Sequence, residues 1–330
     1  MMTTLARVRA RYSQSWSVYG RPIRHSEGLQ RVVGHAARTR SSKWLLASHL
    51  NHLVRRPSRH VLPRALGGVL EDLLGPPSTA AVTWLVHERV ETGRTIVHEI
   101  DGSGLVLSVV KVGRAADVKF RHERQVIASL DKQHVDRDEL VVVPELLAMG
   151  SDESTSAIRT RLDLADVVAP PYAWRPRTFD AAMRAIGGLH ELLSGVITSA
   201  SPSALSSPDG AEPPEVGTWD ELVPSHGDLT AWNLFLLGQR PTERFAVIDF
   251  EECALRPRWW DAARLLTTLL EEGRVPDSDL PTATSILGIG RIELADFLAL
   301  GHHFDQLGGP TERRTRRLVV LEERLRGDSW

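Results

Sequence analysis

A short polar segment, SHGDLTAWN, stands directly before two apolar stretches in this chain. His226, Asp228 and Asn233 have the spacing H-x-D-x-x-x-x-N, and Asp249 follows sixteen residues after Asn233, at the end of the apolar run RFAVIDF. The composition gives about 0.005 chance matches to this spacing in a chain of this length. The runs LFLLG and RFAVIDF predict two short strands, so we expect a hairpin that carries these polar groups at its end.

Phosphoryl transfer needs the three kinds of group that this segment supplies. One carboxylate must meet the acceptor hydroxyl, while an amide and a second carboxylate hold Mg²⁺ against the phosphates. Asp228, Asn233 and Asp249 are the candidates for these three tasks. The alternative is that Asp228 caps a helix and Asp249 ends a strand without chemistry, but the spacing of the whole set favours the first interpretation.

The patterns along the 330 residues predict an α+β fold with two lobes. Apolar runs separated by Gly-containing turns predict five strands, AVTWLVHERV, GRTIVHEI, LVLSVVKV, ELVVVPELLAMG and TSAIRTRLDL, with a helix at 117–130. Beyond Leu164 the apolar period becomes 3.6 residues, which predicts helices at about 178–197, 259–272, 291–301 and 311–326. The Ser- and Pro-rich stretch 199–217 is expected to be a mobile loop. We expect a basic helical N-terminal extension (1–79, with a helix at 41–56), an N-lobe (80–163) and a C-lobe (164–330).

The sequence resembles the aminoglycoside phosphotransferase and choline kinase group of kinase-like enzymes over residues 80–270. HGDLTAWN is similar to the catalytic loop of that group, including Trp232 before the Asn, and VIDFE is similar to its metal-binding strand end. The resemblance implies a protein-kinase-like fold with a small antiparallel β-rich N-lobe and a larger, mainly α-helical C-lobe. Many members of that group lack a G-x-G-x-x-G loop, and the corresponding turn in this chain contains one glycine, Gly93.

The resemblance also implies roles for the residues of the motif. Asp228 corresponds to the catalytic base or hydroxyl-orienting group, His226 braces the catalytic loop, and Asn233 and Asp249 bind Mg²⁺. Asp261 corresponds to an Asp that accepts backbone N–H bonds from the loop, although an ordinary acid at a helix N-terminus is an equal interpretation.

A lysine is a further requirement, because kinase-like enzymes place a cation on the nucleotide phosphates. The chain has only four lysines, and Lys111 ends the third predicted strand. Glu123 lies twelve residues later in the following helix, and the order strand, lysine, helix, Glu is that of the family. The alternative for Lys111 is a solubilising lysine on an edge strand. ATP or GTP is the expected co-substrate.

Charge is distributed unevenly, although 40 Lys and Arg nearly balance 42 Asp and Glu overall. Residues 1–60 carry a formal charge of +11 and the rest of the chain −13. The basic segment either meets an anionic surface or an acidic partner, or docks on the acidic body of the same chain. Nucleic acid is an unlikely partner in view of the overall charge.

The composition indicates in which cellular compartment the protein is expected. A single cysteine, Cys253, excludes an intramolecular disulfide, and no run of 18 apolar residues predicts a membrane-spanning helix, so we expect a cytoplasmic protein. The scarcity of Lys beside Arg suggests a bacterial source.

We expect transfer of the γ-phosphoryl group of ATP to a hydroxyl of an aminoglycoside, amino-alcohol or sugar. Seven acids against three arginines at 261–300 suit a cationic acceptor. The alternative is a kinase-like nucleotide-binding regulatory or scaffold protein without turnover.

Overall fold

The computed structural model describes residues 16–21, 62–76, 81, 83–89, 93–132, 140–162, 174–197, 222–231, 233–237, 244–271, 274–295, 297–298, 322–323 and 325–326. The chain divides into two compact units. The first comprises residues 1–131 and 143–171, and the second comprises residues 132–142 and 172–330.

The strands of the described residues are β1 (Trp16–Gly20), β2 (Thr83–Arg89), β3 (Arg94–Ile100), β4 (Val106–Arg114), β5 (Val141–Val142), β6 (Glu145–Ser151), β7 (Thr155–Arg161), β8 (Leu222–Ser225), β9 (Leu234–Leu237), β10 (Arg244–Val247) and β11 (Ala254–Pro257). The helices with both ends described are α1 (Arg64–Leu74), α2 (Val118–Lys132), α3 (Pro176–Ser194), α4 (Trp260–Glu271) and α5 (Leu280–Leu287).

The first unit is built on an antiparallel sheet whose described strands lie in the order β1-β2-β3-β4-β7-β6. Strand β1 is an addition to the five strands that the sequence predicts, so the extension predicted as helical contains a strand as well as a helix at Arg64–Leu74. It pairs with β2 from Trp16 opposite His87 to Gly20 opposite Thr83. Val18 is fully buried between half-buried neighbours, which is the alternation of a strand with one covered face.

The predicted strand ELVVVPELLAMG is wrong as a single element, because the chain passes from the second unit to the first between Val142 and Val143, next to Pro144. Residues before the proline form β5, which pairs in parallel with β10 of the second unit, and residues after it form β6 at the edge of the first sheet. Proline has no N–H group to donate to a strand ladder, so a continuous strand is interrupted there.

Helix α1 covers one face of the first sheet. Its residues Leu70 and Leu74 pack in a buried cluster with Val86, Val97 and Val110. Arg159 of β7 makes an ion pair with the buried Glu99 at 3.2 Å and donates to the carbonyl of Leu74 at the end of the helix. The described part of the extension is therefore built into the first unit and gives the predicted anionic partner no support. The predicted helix at 41–56 lies outside the described residues.

Helix α2 approaches the opposite face of the sheet. It starts after Asp117, whose side chain accepts the Phe120 N–H bond, and it confirms the helix predicted at 117–130. Phe120 packs against the backbone of Gly113 on β4. Because side chains of a strand alternate between its faces, Val110 faces the cluster under α1 whereas Lys111 faces α2.

The second unit is mainly helical. Helix α3 begins with Pro176, buries the predicted period at Phe179, Ile186, Leu189 and Leu193, and packs against α4 and α5. Two small sheets, β5-β10-β9 and β11-β8, accompany the helices. The predicted loop at 199–217 and most of the helix predicted at 311–326 lie outside the described residues. With the antiparallel sheet of the first unit, this confirms the predicted α+β fold.

Among the helices in the described part of the chain, none has the length and apolar character that crossing a membrane requires.

Candidate functional site

The catalytic-loop segment, residues 226–233, lies between β8 and β9 and is held by Asp261 at the start of α4. The Asp261 carboxylate is fully buried and accepts the backbone N–H groups of His226 and Gly227, both at 2.9 Å. His190 of α3 donates a third hydrogen bond at 3.1 Å. Burial raises the pKa of Asp261, but the hydrogen bond and charge of His190 and the loop contacts outweigh it, so the pKa lies below its usual value. Asp261 is thus an ionised anchor for the loop.

His226 joins the loop to the end of β10. Its Nε2–H donates to the carbonyl of Ile248 at 2.9 Å, and its ring contacts Phe250 with centroids 5.2 Å apart. The imidazole is fully buried. It therefore fixes the loop relative to the strand that precedes Asp249.

The loop needs glycine at position 227. The φ angle of Gly227 is 83°, and a Cβ atom there would lie 2.1 Å from the carbonyl oxygen of Glu252. Both the left-handed backbone and the contact with another backbone segment exclude a side chain. The Gly227 carbonyl accepts a hydrogen bond from Nε1 of Trp260 at 2.9 Å, which is a second contact of the loop with α4.

Asp228 and Asn233 contact each other across the loop. Nδ2 of Asn233 donates to the backbone carbonyl of Asp228 at 2.8 Å and lies 3.3 Å from Oδ2 of the Asp228 side chain. This contact uses the amide nitrogen of Asn233, so its amide oxygen, the kind of atom that an amide offers to a metal, lies on the other side of the group. The Asp228 side chain is 32% exposed, so its carboxylate is accessible to a substrate.

Asn233 and Asp249 lie at the same end of the hairpin formed by β9 and β10. Leu234 is opposite Val247, and the Ile248 N–H group donates to the Asn233 carbonyl at 3.0 Å, so the two candidate ligands flank the last pair of the ladder. An amide oxygen and a carboxylate suit Mg²⁺, which prefers oxygen ligands. These two residues therefore fit the metal that the sequence predicts.

Asp249 has an unusual backbone, with φ 71° and ψ 64°. In the described part of the chain it is the one residue other than glycine with positive φ. Backbone strain of this kind concentrates at functional sites, where the surrounding structure maintains it.

Arg264 of α4 is a site residue that the motif does not contain. Its Nε donates to Oδ1 of Asp228 at 2.8 Å. The available signal was its spacing of three residues from Asp261, which places both on one face of the helix. His190 has no such signal, because it reaches Asp261 from a distant part of the chain.

In the first unit, Lys111 of β4 makes an ion pair with Glu123 of α2 at 2.5 Å. Glu123 is 1% exposed and Lys111 19%. Strand β4 lies between β3 and β7, so Lys111 is on an interior strand and the alternative of an edge-strand lysine does not apply.

Of the predicted site residues, the second unit thus brings together His226, Asp228, Asn233, Asp249 and Asp261. The first unit pairs Lys111 with Glu123, and Trp232 lies outside the described residues.

The chain is similar to a number of solved structures, three of which follow. Amicoumacin kinase hAmiN in complex with AMP-PNP, Ca²⁺ and Ami is 12% identical, with 80% of this chain and 93% of that chain covered and a TM-score of 0.48. The aminoglycoside phosphotransferase APH(3'')-Id from Streptomyces rimosus, with ADP and streptomycin, is 16% identical (74% and 92% covered, TM-score 0.44). The microcompartment-associated aminopropanol kinase is 13% identical (80% and 95% covered, TM-score 0.43).

A comparison with curated proteins found no match. The family comparison did find one: residues 209–285 match the family described as the phosphotransferase enzyme family. The matched segment contains the catalytic loop, the Asp249 strand end and Asp261 with its helix. The match confirms the resemblance, and the chain carries in this segment the sequence pattern of the phosphotransferase enzyme family.

Proposed function

We propose that the protein is a small-molecule kinase that transfers the γ-phosphoryl group of ATP, or of GTP, to a hydroxyl group. The observation that carries this proposal is the arrangement of the loop in the second unit. Asp261 and His226 hold the start of the loop, and Asn233 at its end contacts Asp228 and adjoins the strand end of Asp249. The family match of the same segment supports a phosphotransferase reaction.

The proposed roles follow from the chemistry of each group. The accessible carboxylate of Asp228 accepts the hydrogen bond of the acceptor hydroxyl and orients its oxygen for attack. Asn233 and Asp249 hold Mg²⁺, which when bound supplies positive charge to the phosphates. Lys111, oriented by Glu123, neutralises further phosphate charge.

The acceptor class that we propose is a small hydroxyl compound such as an aminoglycoside, an amino-alcohol or a sugar. One of the acids that suggested a cationic acceptor, Asp261, belongs to the support of the loop and is buried. The remaining acids at 261–300 are the basis for expecting an amino group on the acceptor.

ADP formation over a panel of acceptors tests the proposal. Wild type and Asp228→Asn are compared with Mg²⁺ and ATP or GTP, with and without aminoglycosides, amino-alcohols and neutral sugars. We expect at least one acceptor to increase formation of the nucleoside diphosphate, ADP from ATP or GDP from GTP, in wild type and none in the variant. Mg²⁺-dependent nucleotide binding without any acceptor-stimulated turnover would instead favour the scaffold alternative.

A further inference from the structure

Helix α4 contacts the catalytic loop at successive points along one of its faces. Asp261, Arg264 and Thr268 are separated by three and four residues, so they share a face of the helix. Asp261 accepts the first two N–H groups of the loop, and the Thr268 hydroxyl accepts the Ala231 N–H bond at 3.1 Å. Arg264 lies between them and binds the Asp228 side chain. The order of contacts along the helix is thus the order of residues along the loop.

From this arrangement we infer that Arg264 is a positioning residue, which holds the Asp228 carboxylate in the orientation that the acceptor hydroxyl requires. The inference rests on the proposed function, since it assigns Arg264 a part in that reaction. Asp261 and Thr268 fix the backbone of the loop, whereas Arg264 is the member of the face that acts on the reacting side chain.

The two carboxylate oxygens of Asp228 have different partners. Oδ1 accepts the 2.8 Å bond from Arg264, while Oδ2 has the longer 3.3 Å contact with Asn233. A carboxylate held through one oxygen by a helix has little freedom to rotate. Oδ2 is therefore the oxygen that we assign to the acceptor hydroxyl, and Arg264 determines where it lies.

The ion pair of Arg264 with Asp228 is expected to add little to the folding stability of the protein. Both side chains of the pair are 32% exposed, and ion pairs in contact with solvent contribute little to folding. Loss of Arg264 should therefore affect the reaction much more than the fold. The planar guanidinium also matters, because a lysine supplies the charge without the same directed N–H group.

The test compares Arg264→Met and Arg264→Lys with a matched control, Arg184→Met, which removes an exposed ion pair with Asp180 on α3. We expect Arg264→Met to lower kcat by about 100-fold with little change in the KM for ATP or in Tm, because small misplacements of a reacting group have effects of this size. Arg264→Lys should recover part of the loss, and the control should behave as wild type. An Arg264→Met variant with wild-type kcat, or one whose loss is explained by a lower Tm, would overturn the inference.

A second measurement separates this inference from the proposed function. If wild type shows no turnover on any acceptor, the proposed function fails, and the reaction role of Arg264 fails with it. The contact itself is then decided by the NMR resonance of the Arg264 Nε–H group in wild type and in Asp228→Ala. A resonance that shifts in the variant supports the contact, and an unchanged resonance shows that the two side chains do not interact in solution.

Discussion

At the scale of single residues, Asp249 combines a candidate metal-binding carboxylate with a left-handed backbone. That conformation costs about 1–2 kcal/mol for most L-residues, and Asp and Asn tolerate it better because their short side chains bond locally. Glycine adopts it without strain. Position 249 is therefore one at which function and stability are expected to favour different residues.

Asp249→Ala and Asp249→Gly should separate these two effects. Both variants remove the carboxylate, so both should lose the Mg²⁺-dependent part of the thermal stabilisation by ATP. The glycine variant should be more stable than the alanine variant by about 1–2 kcal/mol, because only alanine is strained in the left-handed region. Urea unfolding measures the second difference, and retention of the Mg²⁺ effect in either variant would place the metal elsewhere.

His98 gives a prediction about pH. It is buried on β3, and burial lowers its pKa to about 4, with the Leu85 carbonyl opposing part of the shift. Between pH 6.5 and 4 the unfolded chain therefore binds a proton that the folded chain excludes, so stability is present above pH 6.5 and is lost as the pH falls.

Going from pH 7.5 to pH 5 should remove about 2 kcal/mol of unfolding free energy through His98. The His98→Gln variant should lack this contribution, so its unfolding free energy should depend less on pH over the same range. Urea unfolding of both proteins at the two pH values measures the difference, and equal pH dependences would show that His98 is not buried in its neutral form.

At the scale of elements, the position of α1 depends on close contact with the sheet. An added Cβ at Gly150 of β6 would lie 2.0 Å from the carbonyl oxygen of Leu73, so the helix backbone lies directly on the strand. Gly68, inside the helix, has open space around the same position. A side chain is therefore excluded at Gly150 but has room at Gly68.

Gly150→Ala should destabilise the protein by about 1–3 kcal/mol, because the helix or the strand must move to admit the methyl group. Gly68→Ala is the control and should stabilise it by up to about 1 kcal/mol, since alanine favours a helix interior over glycine. Chemical unfolding measures both, and a neutral Gly150→Ala would show that α1 is not held against β6.

Elements with a strong local period were predictable, and those that depend on partners distant in sequence were not. The apolar period of α3 and the apolar–polar alternation of β2 to β4 can be recognised from residues that are close together in the sequence. Strand β1 is five residues long and is defined by its pairing with β2, and β5 is assigned to the second unit by its partner β10. The loop motif identified Asp228, Asn233 and Asp249 because their spacing is local, whereas the contact of Arg264 required the packing of α4 against the loop.

At the scale of the whole molecule, the basic N-terminal segment takes part in the fold of the first unit. Residues 1–60 carry +11, yet the strand that they contribute is paired along its length with β2. The hydroxyl of Thr83 also donates to the Arg21 carbonyl. Deletion of residues 1–60 therefore removes a sheet strand together with the charge.

A single substitution within β1 tests its contribution. Val18→Asp places a charge in a buried position and should lower the unfolding free energy by at least about 2 kcal/mol. Ser17→Asp, on the other face of the same strand, adds the same charge at a half-buried site and should have a much smaller effect. Equal effects would show that β1 is not paired with the sheet.

Transfer of a phosphoryl group to a small-molecule hydroxyl is tested by following the γ-phosphoryl group of ATP through the reaction. Mass spectrometry and ³¹P NMR of the reaction with Mg²⁺, ATP and the most active acceptor identify where it goes. We expect a phosphate monoester on the acceptor, formed by wild type and not by Asp228→Asn. Release of the group only as inorganic phosphate, or a monoester formed equally by the variant, would contradict it.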